Sequence, residues 1–167
     1  MEHHKDVRKH IEAAFYELRF AEAAIERMMM ELVAQCRHER SAYRRATREA
    51  ERRSNRNLLN REKVKFSPLV LLGSLAHGTM TLRWSRVYRP KNGGPLRYKM
   101  VPCRDRITHL HSLTPGINRE EKQIIVRHES LARELRKLWS DHVHVKQTLR
   151  AHFLRLRAAA EDQGVPE

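Results

Sequence analysis

Apolar residues recur at alternating steps of four and three positions along the first 32 residues of the chain. The members of this first seam are Val7, Ile11, Ala14, Leu18, Ala21, Ile25, Met28 and Leu32. The spacing is typical of an amphipathic helix with a heptad pattern. Neither Gly nor Pro occurs before Pro68, so nothing in this stretch breaks a helix. We predict a long helix over residues 5–56.

A second seam of the same kind lies near the other end of the chain. Its members are Ile124, His128, Leu131, Leu135, Leu138, His142, Val145, Leu149, Phe153 and Leu156. Pro115 and Gly116 precede it, and Asn118 with Glu121 resembles a capping box. We predict a second long helix over residues 119–160.

The middle of the chain alternates in steps of two, which is typical of strands. Met80, Leu82, Trp84 and Tyr88 share one predicted face of a first strand, and Leu96, Tyr98 and Met100 share that face on a second. An Asn-Gly pair lies between the strands and favours a turn. We predict a two-stranded hairpin over 79–102 whose apolar face, including Trp84 and Tyr88, rests on the helices.

Two connecting segments are less regular. Residues 64–77 form an apolar connector in which the pattern leaves a strand and a short helix both open. Residues 104–118 are predicted to be a loop. The expected fold is therefore mainly α with a β-hairpin: two long, antiparallel, coiled-coil-like helices, with the hairpin and loops between them, in a single domain spanning residues 1–167.

The net charge of +14 comes from two segments. Residues 37–65 contain eleven Lys/Arg and four Glu, and residues 83–106 contain eight Lys/Arg and one Asp. The rest of the chain contains fifteen residues of each sign. Positive charge that is concentrated in this way attracts polyanions and releases their counterions. Nucleic acid is therefore the leading predicted partner, and double-stranded DNA is the preferred form.

The first basic segment places arginines at helical spacing. Arg40, Arg44, Arg48, Arg52 and Arg56 recur every four residues, with Arg37, Arg45 and Arg53 beside them. Each step of four rises about 6 Å along a helix, so the eight form a slowly winding stripe that could follow a phosphate backbone. The alternative is a solvated face on which Glu49 pairs with Arg45 and Arg53, and Glu51 with Arg48.

The second basic segment lies on the predicted hairpin. Arg83, Arg97 and Lys99 are expected on its exposed face, and Arg86, Arg89 and Lys91 near its tip. A basic two-stranded ribbon can enter a groove of DNA. The alternative is an edge strand that cationic side chains protect against aggregation.

Other candidate chemistry is sparse. His109-Leu110-His111 matches the histidine pattern of metal-dependent nickases, but such a site needs further ligands and a poised tyrosine, and a solvated loop is the preferred interpretation. We predict no catalytic residues, no metal site and no cofactor. Cys36 is expected to be a small, reduced core residue. The longest apolar run, 68–72, cannot span a membrane, so a cytoplasmic protein without a membrane partner is expected.

Three short motifs resemble MobI-type conjugative transfer proteins. They are Leu82-Arg83-Trp84-Ser85-Arg86, Leu96-Arg97-Tyr98 and the helical stretch 129–136, all within residues 78–140. The resemblance implies a small accessory factor of plasmids or integrative elements that acts at the origin of transfer and helps the relaxase engage DNA without nicking it. The arginine-rich N-terminal helix lies outside the resemblance.

The leading hypothesis is thus a non-enzymatic DNA-binding accessory protein of conjugative mobilisation, with a relaxase or other transfer protein as a further partner. Three alternatives stay open: an RNA-binding or ribosome-associated protein, a helical scaffold for a protein partner, and a metal-dependent nickase. The seams can pair within one chain or between two chains, so a homodimer is also open.

Overall fold

The computed structural model is mainly helical, with two helices and a small three-stranded antiparallel sheet. It describes residues 2–56, 66, 69–76, 79–91, 94–104, 107–108, 117 and 119–162. Side chains are described in these ranges except at 2–5, 76, 79, 103–104 and 107–108. No described helix is both long enough and apolar enough to cross a membrane.

The two helices have nearly the predicted bounds. Helix α1 spans Glu2–Asn55 and helix α2 spans Arg119–Asp162. The absence of Gly and Pro before residue 68 lets α1 continue without a break. Glu120 and Glu121 lie in the first turn of α2, where negative charge interacts favourably with the helix dipole and stabilises the helix.

The sheet contains one strand more than the predicted hairpin. Strands β1, Leu69–Ala76, β2, Thr79–Tyr88, and β3, Arg97–Met100, pair in the order β1-β2-β3. The prediction of two strands is therefore wrong, and the apolar connector contains a strand. The predicted loop over 104–118 is also wrong at its start, because β4, Cys103–Arg104, pairs with β5, Ile107–Thr108.

The chain divides into two compact units. Unit 1 comprises Met1–Glu31 and Trp139–Glu167, and unit 2 comprises Leu32–Leu138. In unit 1, the first part of α1 and the last part of α2 run antiparallel. The rings of Phe15 and Phe153 meet edge to face at 5.3 Å, and Ile11 packs with Ala160 in a small core.

Unit 2 combines the second part of α1, the first part of α2 and the sheet. Its largest fully buried apolar side chains include Trp84, Leu71, Leu82 and Ile125. The apolar face of β2 rests on the helices as predicted at Met80 and Trp84: Met80 Sδ lies 3.2 Å from Cys36 Sγ on α1, and Trp84 Nε1 donates to Glu129 on α2. The single-domain and coiled-coil arrangements stay predictions.

The second seam is only partly correct. His128 and Leu135 are buried, but Leu131 and Leu138 are 39% and 44% exposed, and Ala132 is buried instead. In unit 2, α2 packs against both α1 and the sheet. Its buried residues therefore differ from those predicted for a helix that packs against one other helix only. A heptad pattern alone does not encode that second contact.

Candidate nucleic-acid interface

The basic half of α1 has a buried face and an open face. Leu32, Cys36, Glu39, Tyr43 and Ala50 are buried. Successive residues turn by about 100° around a helix, so the opposite side holds six exposed arginines. They are Arg37, Arg44, Arg45, Arg48, Arg52 and Arg56, which we call the arginine face.

The dimensions of the arginine face suit an extended polyanion. From Arg37 to Arg56 the helix rises about 28 Å at roughly 1.5 Å per residue. Duplex DNA presents one phosphate per strand for about every 3.4 Å of axis, so the face is as long as roughly eight phosphates of one strand. Arg48, Glu51, Arg52 and Asn55 line an open depression of about 390 Å³ on this helix.

The arginine face has no carboxylate partner in the described part of the chain. None of its six guanidinium groups lies within 4.0 Å of an Asp or Glu oxygen there. The alternative pairs of Glu49 with Arg45 and of Glu51 with Arg48 do not form. Because no acid among the described residues neutralises these cations, their charge is available to an external anion.

Two of the eight predicted stripe residues lie off the arginine face. Arg53 Nη2 donates to Glu120 Oε1 at 2.9 Å. The hydrogen bond from Arg53, and then one from Ser54, lower the pKa of Glu120. Arg40 is half-buried, and its Nε is buried without a hydrogen-bond partner among the described residues. The pair of Glu49 with Arg53, which the alternative of a solvated face requires, therefore does not form either.

The hairpin cations do not share one face, contrary to the prediction. Directly paired residues of an antiparallel sheet project to the same side. Arg86 pairs with Lys99 and Tyr88 with Arg97, which puts Arg97 and Lys99 on the side of Trp84. Arg83 projects to the other side, where its Nη1 lies 3.5 Å from Met100 Sδ.

The exposed end of the sheet differs from the prediction in a second way. Trp84 is fully buried as expected, but Tyr88 is 47% exposed and is not a core residue. All four residues of β3 are exposed, as are Arg89 and Lys91 beyond the end of β2. Together with Arg83, these residues give the hairpin cations on both of its faces.

No family model, no curated protein and no solved structure matches this chain. The resemblance to MobI-type transfer proteins therefore stays a prediction. So do the assignment as a non-enzyme and the nickase alternative, because His109 and His111 lie outside the described residues. Among the described side chains, no group of three or more His, Cys, Asp or Glu could hold a metal ion.

Helix α2 contributes basic residues that the charge count missed. Arg119, Lys122 and Arg127 line an open depression of about 480 Å³, and Arg133 and Lys137 are exposed further along the helix. Residues 119–138 did not stand out in the charge count, because acids offset these cations in the sequence. Two of its four acids, Glu121 and Glu129, are buried, and a third, Glu120, forms an exposed ion pair with Arg53. Glu129 lies beside the predicted seam and not in it, so the seam alone does not reveal the surplus.

Behind the arginine face lies a buried polar cluster that the sequence analysis also missed. His128 Nδ1 hydrogen bonds with Glu39 Oε1, which joins α2 to α1. Glu129 accepts from Trp84 Nε1 at 2.6 Å and from Arg136 Nη2 at 2.5 Å. Arg136 Nη1 also donates to the carbonyl of Leu82 at 2.9 Å. These bonds tie both helices to β2 and hold the inner side of α1 in a defined orientation.

Tyr43 lies at the centre of this cluster. Its ring meets Trp84 at 4.8 Å and His128 at 5.4 Å, both edge to face. Its hydroxyl is buried without a hydrogen-bond partner among the described residues. Burial, and then the charge of Glu121, raise the pKa of Tyr43. The hydroxyl therefore stays protonated at neutral pH, which suits a packing role.

Cys36 is a buried core residue, as predicted. Burial raises the pKa of its thiol to about 11, with a smaller increase from Glu39 and an opposing effect of Arg136. The thiolate is the nucleophilic form of cysteine, and it is scarce at neutral pH when the pKa is this high. Cys36 thus packs against Met80 and is a poor nucleophile.

Proposed function

We propose that this protein binds double-stranded DNA, without catalysing a reaction on it, through the arginine face of α1. The observation that supports this proposal is the set of six exposed arginines with no carboxylate partner in the described part of the chain. They belong to a unit that contains 25 Lys/Arg against 9 Asp/Glu, a surplus of 16. Phosphate contacts of this kind give salt-dependent affinity and position the protein on the duplex.

The hairpin has a secondary role in this proposal. Arg97 and Lys99 project to one side of the sheet and Arg83 to the other. A ribbon with cations on both faces can meet the phosphates that flank a groove. Its contribution is position and affinity, because no described residue can be assigned to reading bases.

The cellular role is proposed on narrower grounds. Accessory action at an origin of transfer, beside a relaxase, rests on the resemblance of residues 78–140 to MobI-type proteins. DNA binding by the arginine face does not depend on that resemblance, since the face lies outside it. The RNA-binding, scaffold and nickase alternatives stay predictions.

The test is the salt dependence of duplex binding. Each phosphate contact contributes roughly 0.9 to the slope of log affinity against log salt. The triple variant Arg44→Ala/Arg48→Ala/Arg52→Ala should therefore lower the slope by about 3. A double variant, Arg97→Ala/Lys99→Ala, should lower it by at most about 2 if the hairpin contacts phosphates. Fluorescence anisotropy with a labelled duplex measures both.

The matched control removes three exposed basic residues from unit 1, as Lys9→Ala/Arg150→Ala/Arg155→Ala. It lowers the net charge equally, so it separates a local contact surface from net charge. We expect its slope to change by less than about 1. A flat salt response of the unmodified protein, or equal slopes for the two triple variants, would refute the proposal. Repeating the titration with duplex RNA and single strands tests the preference for DNA.

A further inference from the structure

Helix α1 has a second, mostly apolar stripe in unit 1, on the side opposite the first seam. Its members are Ala13, Tyr16, Phe20, Ala23, Arg27 and Met30, which follow one another at steps of three and four. All six are exposed, and Tyr16, Phe20 and Met30 are 75%, 63% and 63% exposed. We call these six residues the outer stripe.

The outer stripe is distinct from the contact that α1 makes with α2. Ile11 and Ile25 of the first seam are buried within unit 1, whereas its member Met28 is 39% exposed. The outer stripe lies about half a turn away from them at roughly 100° per residue. A heptad-spaced set of large apolar side chains on an open helix face is typical of a surface that packs against another helix.

We propose that the outer stripe binds the outer stripe of a second copy of this chain, with the two α1 helices antiparallel. In one antiparallel register, every large side chain meets a small or cationic one. Phe20 faces Ala23 of the second copy, Met30 faces Ala13, and Tyr16 faces Arg27. Two-fold symmetry repeats each of these contacts.

The charges favour the same register. The Arg27 guanidinium reaches the ring of Tyr16 in the second copy, where a cation–π contact is favourable. Beside the stripe, Arg19 comes opposite Glu26 of the second copy, so opposite charges flank the contact. A parallel pairing would place Arg27 against Arg27 and Ala23 against Ala23. That arrangement brings like charges together and leaves voids, so it is disfavoured.

Charge also argues against other occupants of the outer stripe. Exposed Glu12, Glu17 and Glu26 lie close to it along the helix. Unit 1 contains 9 Lys/Arg and 11 Asp/Glu, a net charge of −2. Neither an anionic lipid surface nor nucleic acid is attracted to such a surface. The complementarity of the stripe with itself identifies a second copy as its partner.

Sedimentation equilibrium of the full chain without nucleic acid tests this proposal. We expect a dimer that forms below about 100 μM. The variant Tyr16→Glu/Phe20→Glu should raise the dissociation constant by roughly 100-fold or more, because it places charge at the two largest anchors. The control is Leu154→Glu, which changes a side chain 57% exposed on α2 in the same unit and should leave the dimer intact. Circular dichroism checks that both variants stay helical.

A charge exchange tests the register. Arg19→Glu should weaken the dimer by about fivefold, and Arg19→Glu/Glu26→Arg in the same chain should restore it, because the exchanged charges are again opposite. Glu26 also pairs with Lys146 of its own chain, so Glu26→Arg alone is the second reference variant. A protein that remains monomeric at about 100 μM, or a dimer that Tyr16→Glu/Phe20→Glu leaves unchanged, would overturn the proposal. Failure of the rescue would overturn the antiparallel register. None of these outcomes alters the salt test of the arginine face.

Discussion

Units 1 and 2 are built on parts of the same two helices, yet they differ in charge and in what they bury. Unit 2 contains 25 Lys/Arg against 9 Asp/Glu, while unit 1 contains 9 against 11. The whole net positive charge of the chain therefore belongs to unit 2. In our proposals, unit 2 meets a polyanion and unit 1 meets a second copy of the chain.

The interiors differ in the same direction. Unit 2 buries a three-stranded sheet under its helices and contains all of the buried glutamates and histidines in the described part of the chain: Glu39, Glu121, His128 and Glu129. The buried residues described in unit 1 are Ile11, Ile25, Trp139 and Ala160. Because three glutamates of unit 2 are buried, its outer surface is more cationic than its composition indicates. An internal polar network and an external basic surface thus come from one arrangement.

The ion pairs of the two units offer the largest test of this comparison. Glu129→Ala in unit 2 removes the buried carboxylate that binds Trp84 and Arg136. Breaking a buried pair typically costs about 3–5 kcal/mol, because a desolvated charge loses its partner. In unit 1, Glu26→Ala removes an exposed pair with Lys146 and should cost less than about 1 kcal/mol. Urea unfolding followed by circular dichroism measures both.

Glu134→Ala is the control for that comparison, because Glu134 is exposed on the same helix as Glu129. We expect it to change the free energy of unfolding by no more than about 0.5 kcal/mol. If Glu129→Ala also cost less than about 1 kcal/mol, the buried cluster would not stabilise unit 2 in the way described.

Two isoleucines sharpen the comparison of the apolar cores. Ile125 is fully buried in unit 2, whereas Ile25 in unit 1 is 9% exposed. Replacing buried Ile by Ala costs about 2–5 kcal/mol, and the cost rises with the size of the cavity that remains. The loss of unfolding free energy should lie in the upper part of that range for Ile125→Ala and at its lower end for Ile25→Ala. The reason is that two packed helices can move together and reduce the cavity that Ile25→Ala leaves. Equal losses of unfolding free energy would contradict the difference in packing.

The helices and the arginine face could be predicted because both follow from one periodicity. Steps of three and four without a helix breaker indicate the inner residues of α1, and the outer arginines are then the positions that remain. The exceptions, Arg40 and Arg53, depend on packing. The partner of Arg53 is Glu120, which is distant in the sequence, so no local pattern reveals the ion pair.

The sheet could not be predicted to the same extent. Strand β1 has Leu69 and Leu71 on one face and Val70 and Leu72 on the other, so its pattern does not alternate between apolar and polar residues. The pairing of Ser85 with Met100 differs from the assumed register by an odd number of residues. A shift of that kind moves every side chain of a strand to the other face, and the long connection between β2 and β3 does not determine the register locally.

The titration of Cys36 gives the smallest expected effect and tests the interior of unit 2 alone. Burial raises the pKa of its thiol from 9.0 to about 11, so the unfolded chain releases this proton at lower pH than the folded chain. Stability from this group is therefore complete below pH 9 and is lost as pH rises towards 11, by about 2–3 kcal/mol in total. Cys36→Ala should flatten the pH dependence of the unfolding free energy over that interval. The control Val33→Ala is a buried apolar change on the same helix. It should lower the unfolding free energy at every pH without changing its slope against pH. Equal slopes for the unmodified protein and both variants would show that the thiol does not titrate as a buried group.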